Sequence, residues 1–140
     1  MTTYADIRKM IEENDVEYID VRFTDPRGKL QHLAMCEHAM DEDAFNECIL
    51  FDGSSIAGWK AINESDMLLV PDMDTAVMDP FTAQPQLIIF CDVKDPITGE
   101  FYSRDPRGTA KKAEQFVKDS GVGTDVFLSL IHISEPTRPY

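Results

Sequence analysis

The amino-terminal part of the chain shows two different hydrophobic periods. Apolar residues recur at helical spacing within Tyr4–Glu13, where Thr3 precedes as a capping residue and Asp6 lies in the first turn. Tyr18–Thr24 instead alternates apolar and polar side chains, which is typical of a strand with one buried face. These patterns predict a helix followed by a strand.

A hairpin and a short helix are predicted next. Residues 25–28 read Asp-Pro-Arg-Gly, with Pro and Gly at positions where turns favour them, and a second strand follows at Lys29–Met35. Asp41–Cys48 begins with acidic residues, which suit the start of a helix. Leu50–Ala61 has no regular period, so a loop is predicted there.

The second half of the chain predicts strands and one longer helix. Met67–Val70, Thr75–Met78 and Leu87–Val93 are strand candidates, and the last is so apolar that it is predicted to be central. The helix runs from the Asp-Pro pair at Asp105–Pro106 to about residue 120. A further strand is predicted to begin within Thr124–Leu128.

The order of these elements indicates the fold class. Strands and helices do not alternate strictly, which argues against a doubly wound parallel sheet. An α+β domain, with a mixed sheet and helices packed on one face, is the predicted architecture.

Charge and composition limit the kinds of binding partner and the cellular location that can be expected. The net charge is −13 and the basic residues are scattered, so no nucleic-acid partner is expected. No apolar run of membrane-spanning length and no signal peptide occur, and a cytoplasmic location is expected. The odd number of cysteines, without a Cys-x-x-Cys pair, favours reduced thiols acting as small core residues at Cys36, Cys48 and Cys91.

Other candidate sites are weak on residue chemistry alone. Asp72 and Asp74 supply fewer oxygen ligands than a divalent ion prefers, so turn acids are the preferred interpretation and no metal site is predicted. No phosphate-binding P-loop motif is present. Arg104 and Arg107 flank a helix start and are interpreted as structural or inter-subunit contacts.

The predicted loop at Phe51–Trp59 is the most informative segment. It combines an acid, two serines and two glycines with the large apolar residues Ile56 and Trp59. Apolar groups in a loop suggest a contact surface, and both are expected to be exposed in the isolated domain. The alternative is a structural turn with Trp59 anchored on its own core, and the residues alone favour it.

A family resemblance rests on this segment and its flanks. Residues 51–55 read Phe-Asp-Gly-Ser-Ser, and Glu64-Ser65-Asp66 follows after eight residues. This pattern resembles the amino-terminal signature of glutamine synthetases. The collinear stretches 21–25, 75–81 and 104–107 are also similar to that family, so the resemblance runs from about residue 3 to residue 127.

The resemblance implies a β-grasp domain of a bacterial-type, ATP-dependent ligase that joins glutamate and ammonia. In that family the active site lies between subunits of a homo-dodecamer, and this domain closes the site of its neighbour. ATP and Mg²⁺ or Mn²⁺ bind a larger carboxy-terminal domain, so the chain alone is expected to be inactive. The implied domain is residues 1–128, including the start of the catalytic domain.

The resemblance also implies residue roles. Asp52 matches the aspartate that binds ammonium and deprotonates it, and Ser55 matches a residue beside the ammonium pocket. Trp59 and Asp66 match residues of the inter-subunit loop. The chemistry suits an aspartate, because a carboxylate with an ordinary pKa of about 3.9 is ionised at neutral pH and can hold a cation.

Residues 129–140 depart from the family pattern. They resemble a peptide translated from sequencing-adaptor DNA, and we expect a non-native tail without stable packing.

Two other functions stay open. One is a ligase of the same superfamily that joins glutamate to a different amine, and the other is a free-standing β-grasp binding module.

Overall fold

The computed structural model describes residues 1–59 and 66–127, and the chain divides into two compact units, Met1–Thr109 and a second that begins at Ala110. The helices are α1 (Tyr4–Glu13), α2 (Glu42–Asn46) and α3 (Pro106–Ser120), and the strands are β1 (Tyr18–Thr24), β2 (Leu30–Cys36), β3 (Ile49–Asp52), β4 (Asp66–Pro71), β5 (Val77–Met78) and β6 (Gln86–Lys94).

One mixed sheet organises the first unit. Its strand order is β2-β1-β6-β4-β3, and β5 pairs with β6 beside this path. β1 and β6 run parallel, whereas the other pairs are antiparallel. The central position of β6 confirms the prediction made from its apolar sequence.

Helix α1 begins as its sequence predicts. The Thr3 hydroxyl accepts a hydrogen bond from the Asp6 amide at 3.3 Å, and the Asp6 carboxylate accepts one from the Thr3 amide at 2.8 Å. This reciprocal capping box satisfies amide groups that would otherwise lack partners. The side-chain and backbone hydrogen bonds from Thr3 also lower the pKa of Asp6.

The β1–β2 hairpin is closed by a turn built around Asp25. Its carboxylate accepts hydrogen bonds from the Arg27 and Lys29 amides at 2.9 Å and from Gln31 Nε2 at 3.0 Å. The Gln31 bond contributes most to lowering the pKa of Asp25. Gly28 has φ +82°, a conformation that glycine adopts without steric cost.

The core lies on the face of the sheet covered by α1 and α2, as the predicted α+β architecture requires. Helix α2 contributes Phe45, which contacts Tyr4 of α1 with ring centroids 5.5 Å apart. Burying apolar surface in this way is the main stabilising contribution to such a domain. The buried core includes Ile7, Ile11, Ile19, Val21, Phe23, Met67, Leu69, Leu87, Ile89, Cys91 and Val93.

The opposite face of β1 carries a buried acid that is fully paired. Asp20 is 1% exposed, and its carboxylate accepts from Arg22 Nε at 2.6 Å and lies 2.8 Å from His32 Nδ1. Arg22 also donates to Asp79 at 2.9 Å. A buried carboxylate is tolerated when such partners satisfy it.

Three predicted elements require correction. Ile49–Asp52 was expected to belong to a loop from Leu50 onward but forms β3, because pairing with β4 supplies hydrogen bonds that the sequence pattern does not reveal. β5 covers only two residues of the predicted strand Thr75–Met78. Residues 124–127 do not form a strand, and Leu128 lies outside the described residues.

The second unit contains the greater part of α3. The helix ends before Gly121, whose φ of +69° is usual for a helix-terminating glycine. Lys118 and Glu114 form an ion pair at 2.6 Å along its exposed surface. Within residues 1–59 and 66–127, no helix has the length and apolar character needed to cross a membrane.

The three cysteines are free thiols, but their expected core positions are only partly correct. Cys91 is buried in the core, whereas Cys48 is half-buried and Cys36 is exposed at the end of the edge strand β2. Exposed and half-buried side chains alternate along β2, and Cys36 falls at one of the exposed positions. Burial raises the pKa of the Cys91 thiol to about 12.

Candidate functional site

Asp52 is the last residue of β3 and lies at the surface. It pairs in register with Asp66, the first residue of β4. Its Oδ1 atom accepts hydrogen bonds from the Ser54 amide at 2.8 Å and from the Ser54 hydroxyl at 2.6 Å. These bonds orient the carboxylate relative to the turn that follows.

The Asp52 loop, defined here as Gly53–Trp59, starts with one turn of 3-10 helix at Gly53–Ser55. Asp52 caps this turn, and the Ile56 amide bonds back to the Gly53 carbonyl at 3.1 Å. Gly53 is buried, whereas Ser55 is exposed. The structure therefore places both residues of the expected ammonium pocket at the surface, one before and one within a short hydrogen-bonded turn.

The expectation that Ile56 and Trp59 are exposed is wrong. Their exposed fractions are 8% and 4%, and Trp59 belongs to the hydrophobic core. Its ring centroid lies 5.5 Å from that of Phe23, 5.8 Å from Phe51 and 5.6 Å from Tyr102. These partners come from three separate parts of the sequence. The alternative interpretation, a turn with Trp59 anchored on the domain's own core, is confirmed.

Hydrogen bonds from two side chains to main-chain carbonyl groups fix the far end of the Asp52 loop. The Tyr102 hydroxyl donates to the Trp59 carbonyl at 2.9 Å, and Arg104 donates to the Gly58 carbonyl at 2.7 Å. Trp59 Nε1 is buried and has no acceptor among the described residues. The structural interpretation of Arg104 is thus confirmed, and Tyr102 is a contact residue that the sequence analysis did not identify.

A second arginine joins the start of α3 to the sheet. Arg107 Nε donates to Asp92 at 2.8 Å, and its guanidinium also pairs with Asp72. Asp105 caps α3 by accepting from the amides of Arg107 and Gly108 at 3.0 and 3.2 Å. Burial raises the pKa of Asp105 despite these bonds. The structural interpretation of Arg107 is confirmed.

Asp66 requires a correction of placement. The residue was expected in an inter-subunit loop with Trp59, but it begins β4 because its backbone pairs with that of Asp52. Any contact of Asp66 or Trp59 with another subunit stays a prediction. Glu64, Ser65 and the tail at 129–140 lie outside the described residues.

The described residues do not fit a metal–nucleotide site. No three His, Cys, Asp or Glu side chains among them are grouped so that they could hold a metal ion. Mg²⁺ bound with ATP usually needs carboxylates together with substrate phosphates in one octahedral site. No chemical step is therefore assigned to a metal on this domain.

The family model described as "Glutamine synthetase, beta-Grasp domain" matches residues 15–96. This match covers more than half of the chain. It includes β1 to β6, and it confirms the β-grasp form of the predicted α+β fold.

Individual related proteins agree with the family model. The chain is 61% identical over 128 residues to a glutamine synthetase of Rhizobium meliloti and 60% identical over 128 residues to one of Bradyrhizobium diazoefficiens. Each match covers 91% of this chain but only 27% of the relative. A cryo-electron microscopy structure of Plasmodium falciparum glutamine synthetase is similar with a TM-score of 0.76 and 26% identity, covering 86% of this chain and 23% of that one.

Proposed function

Because this chain belongs to the glutamine synthetase family through its β-grasp domain, we propose that it is the amino-terminal part of an enzyme that makes glutamine from glutamate and ammonia with ATP. In this proposal the domain closes the active site of a neighbouring subunit in a homo-dodecamer. The full-length enzyme would be cytoplasmic. The chain spans about a quarter of the length of the relatives that it matches, 27%. We propose that ATP and Mg²⁺ or Mn²⁺ bind the part of the full-length enzyme that this chain does not include.

The observation that carries the proposal is the position of Asp52. The carboxylate ends a paired strand, lies at the surface, and is oriented through Oδ1 by two donors of Ser54. A carboxylate held in one orientation loses little further freedom when it binds a cation. Ammonium, with four N–H donors and a positive charge, suits such an acceptor.

The proposed chemistry is a proton transfer followed by attack of ammonia. Ammonium first binds to the Asp52 carboxylate, and the Ser55 hydroxyl oxygen accepts a further hydrogen bond. One N–H bond then breaks, the proton moves to the carboxylate, and the released lone pair of ammonia attacks the carboxyl carbon of glutamate, which ATP has activated as an acyl phosphate. The C–N bond forms as the C–O bond to the phosphate breaks, phosphate leaves with that electron pair, and the attached nitrogen loses one more proton to give the amide of glutamine. A positioned base of this kind typically contributes about 10²–10⁴ in rate.

A hybrid enzyme tests this function. Residues 1–127 of this chain would replace the aligned segment of the Rhizobium meliloti relative, which is 61% identical. We expect the hybrid to assemble and to form glutamine at a rate near that of the parent. In each proposed active site, this domain supplies Asp52 and Ser55, and the relative supplies the groups that bind ATP, metal and glutamate. The parent without its aligned segment is the matched control and should be inactive.

The result that would contradict the proposal is a correctly assembled hybrid without glutamine formation. Assembly would be followed by light scattering, so that a failure to assemble is separated from a failure to catalyse. A hybrid that prefers another amine over ammonium would instead favour the sister ligase of the same superfamily.

A further inference from the structure

We infer that Tyr102 and Arg104 are positioning residues for Asp52. Both donate hydrogen bonds to main-chain carbonyl groups at the far end of the Asp52 loop. The inference rests on the proposed function, because it takes Asp52 as the ammonium base. It adds two residues that lie 43 and 46 positions from their acceptors in the sequence.

The contacts converge on two consecutive carbonyl groups. The Tyr102 hydroxyl lies 2.9 Å from the Trp59 oxygen, and Arg104 Nη1 lies 2.7 Å from the Gly58 oxygen and 3.4 Å from that of Trp59. Gly58 has φ +90°, a conformation that glycine adopts without steric cost, and the carbonyl groups of both Gly58 and Trp59 lie within reach of Arg104. Hydrogen bonds from a charged guanidinium are stronger than those from neutral donors.

Tyr102, the first of the two donors, is itself hydrogen-bonded to the central strand of the sheet. The Tyr102 amide donates to the Val93 carbonyl of β6 at 2.8 Å, and the Tyr102 carbonyl accepts from the Asp105 amide at 3.0 Å. β6 is paired on both sides, so it is among the least mobile parts of such a fold. Through Tyr102, the end of the Asp52 loop is therefore held in place by the central strand β6.

Aromatic contacts carry this constraint back to Asp52. Trp59 packs edge-on against Phe51, with centroids 5.8 Å apart and planes at 65°, and Phe51 directly precedes Asp52 in β3. The hydrogen bonds accepted by the Trp59 carbonyl hold its main chain, and contacts with Phe23, Phe51 and Tyr102 hold its ring. Asp52 is therefore constrained from the loop as well as from its own strand.

The loop position can be measured directly, because Trp59 is the only tryptophan of the chain. In the 140-residue chain, Tyr102→Phe removes one hydroxyl and keeps the ring, whereas Arg104→Met removes the charged donor from an exposed position. We expect tryptophan emission of both variants to shift to longer wavelength and to be quenched more strongly by iodide. Arg104→Lys, which retains a positively charged N–H donor group, should restore part of the original emission.

Matched controls separate this effect from a general loss of packing. Tyr4→Phe alters a half-buried tyrosine that packs on Phe45, and Arg27→Met alters an exposed arginine of the hairpin turn. Both should leave tryptophan emission unchanged. Unchanged emission in folded Tyr102→Phe and Arg104→Met would overturn the positioning role, even if their unfolding temperatures were lower.

The catalytic consequence is measured in the hybrid enzyme. Displacing a catalytic group by about 1 Å can cost 10²-fold, so we expect Arg104→Met to raise the KM for ammonium by at least about tenfold. The KM for glutamate should stay unchanged, which a general structural defect would not predict.

Asp52→Asn serves as the reference that separates the two claims. If Asp52→Asn loses turnover with ammonium while both positioning variants keep a normal ammonium KM, the positioning inference alone is wrong. If Asp52→Asn has no effect on ammonium use, the proposed function fails and the positioning of an ammonium base fails with it.

Discussion

Asp52 and Asp66 are direct partners in the antiparallel register of β3 and β4, so two exposed acidic residues face each other on neighbouring strands. Directly opposed side chains have Cβ atoms about 4.5–5.5 Å apart, and like charges in this arrangement destabilise a sheet. Removing one of two such charges is therefore expected to raise stability. Asp52 and Asp66 place two acidic side chains next to each other at the surface where β3 ends and β4 begins.

The first prediction follows from this opposition. Asp66→Asn removes one charge and should stabilise the domain by less than about 1 kcal/mol. The gain should shrink as salt is added, because salt screens exposed charges. Urea unfolding at low and high ionic strength measures the change in the free energy of unfolding. Asp66→Glu is the control that keeps the charge. A midpoint that falls in Asp66→Asn would mean that the two acids do not repel each other in the folded state.

The hairpin turn gives a prediction with a defined pH dependence. The Gln31 hydrogen bond lowers the pKa of Asp25 in the folded state below its ordinary 3.8. A lowered carboxyl pKa contributes stability that is present above pH 3.8 and is lost as the pH falls through the folded-state pKa. Gln31→Met should therefore lower the urea midpoint at neutral pH and have little effect in stronger acid. An equal loss at both pH values would indicate a packing effect only.

The cysteines should differ sharply in reactivity. Thiolates are the reactive form, and burial raises the pKa of Cys91 to about 12 while Cys36 is exposed. A thiol reagent at neutral pH should label Cys36 first and Cys91 only when the domain unfolds. Mass spectrometry of the labelled peptides checks this order, and Cys36→Ser should abolish the fastest phase. Labelling of Cys91 in the native state at the rate of Cys36 would contradict the buried position.

The chain alone should form no glutamine. The described residues lack a group that could hold a metal ion, and phosphoryl transfer depends on metal ions and charged groups for positioning and charge stabilisation. The purified chain would be assayed with ATP, magnesium, glutamate and ammonium, beside the Rhizobium meliloti enzyme as a positive control. Steady glutamine formation above a blank would place the catalytic groups within this chain.

The elements that the sequence predicts best are those stabilised by local patterns. α1 has its cap and its apolar stripe within one segment, and β1 alternates over its full length, so both were predicted with the observed bounds. β6 was recognised because a strand buried on both sides is continuously apolar.

Elements that depend on distant partners were not predicted. β3 has only four residues, and its strand form results from pairing with β4. A core position for Trp59 was one of two interpretations of the sequence, but its ring partners Phe23 and Tyr102 could not be identified because they are far away along the chain. Asp52 and Ser55 were singled out by family resemblance, whereas the contacts that hold their loop required the three-dimensional structure.

The central claim is that Asp52 is the base that binds and deprotonates ammonium. Asp52→Asn in the hybrid enzyme keeps the size of the side chain, so folding and assembly should be preserved. Because the substitution removes both the negative charge and the base, turnover with ammonium should fall by about 10²–10⁴.

The most direct measurement is the ratio of turnover with hydroxylamine to turnover with ammonium in Asp52→Asn and in the unaltered hybrid. Hydroxylamine is mostly neutral at neutral pH and needs no prior deprotonation. We predict that the ratio rises strongly in Asp52→Asn, because hydroxylamine recovers part of the lost rate. An equal loss with both amines, leaving the ratio unchanged, would contradict the claim and make Asp52 a structural acid of its turn.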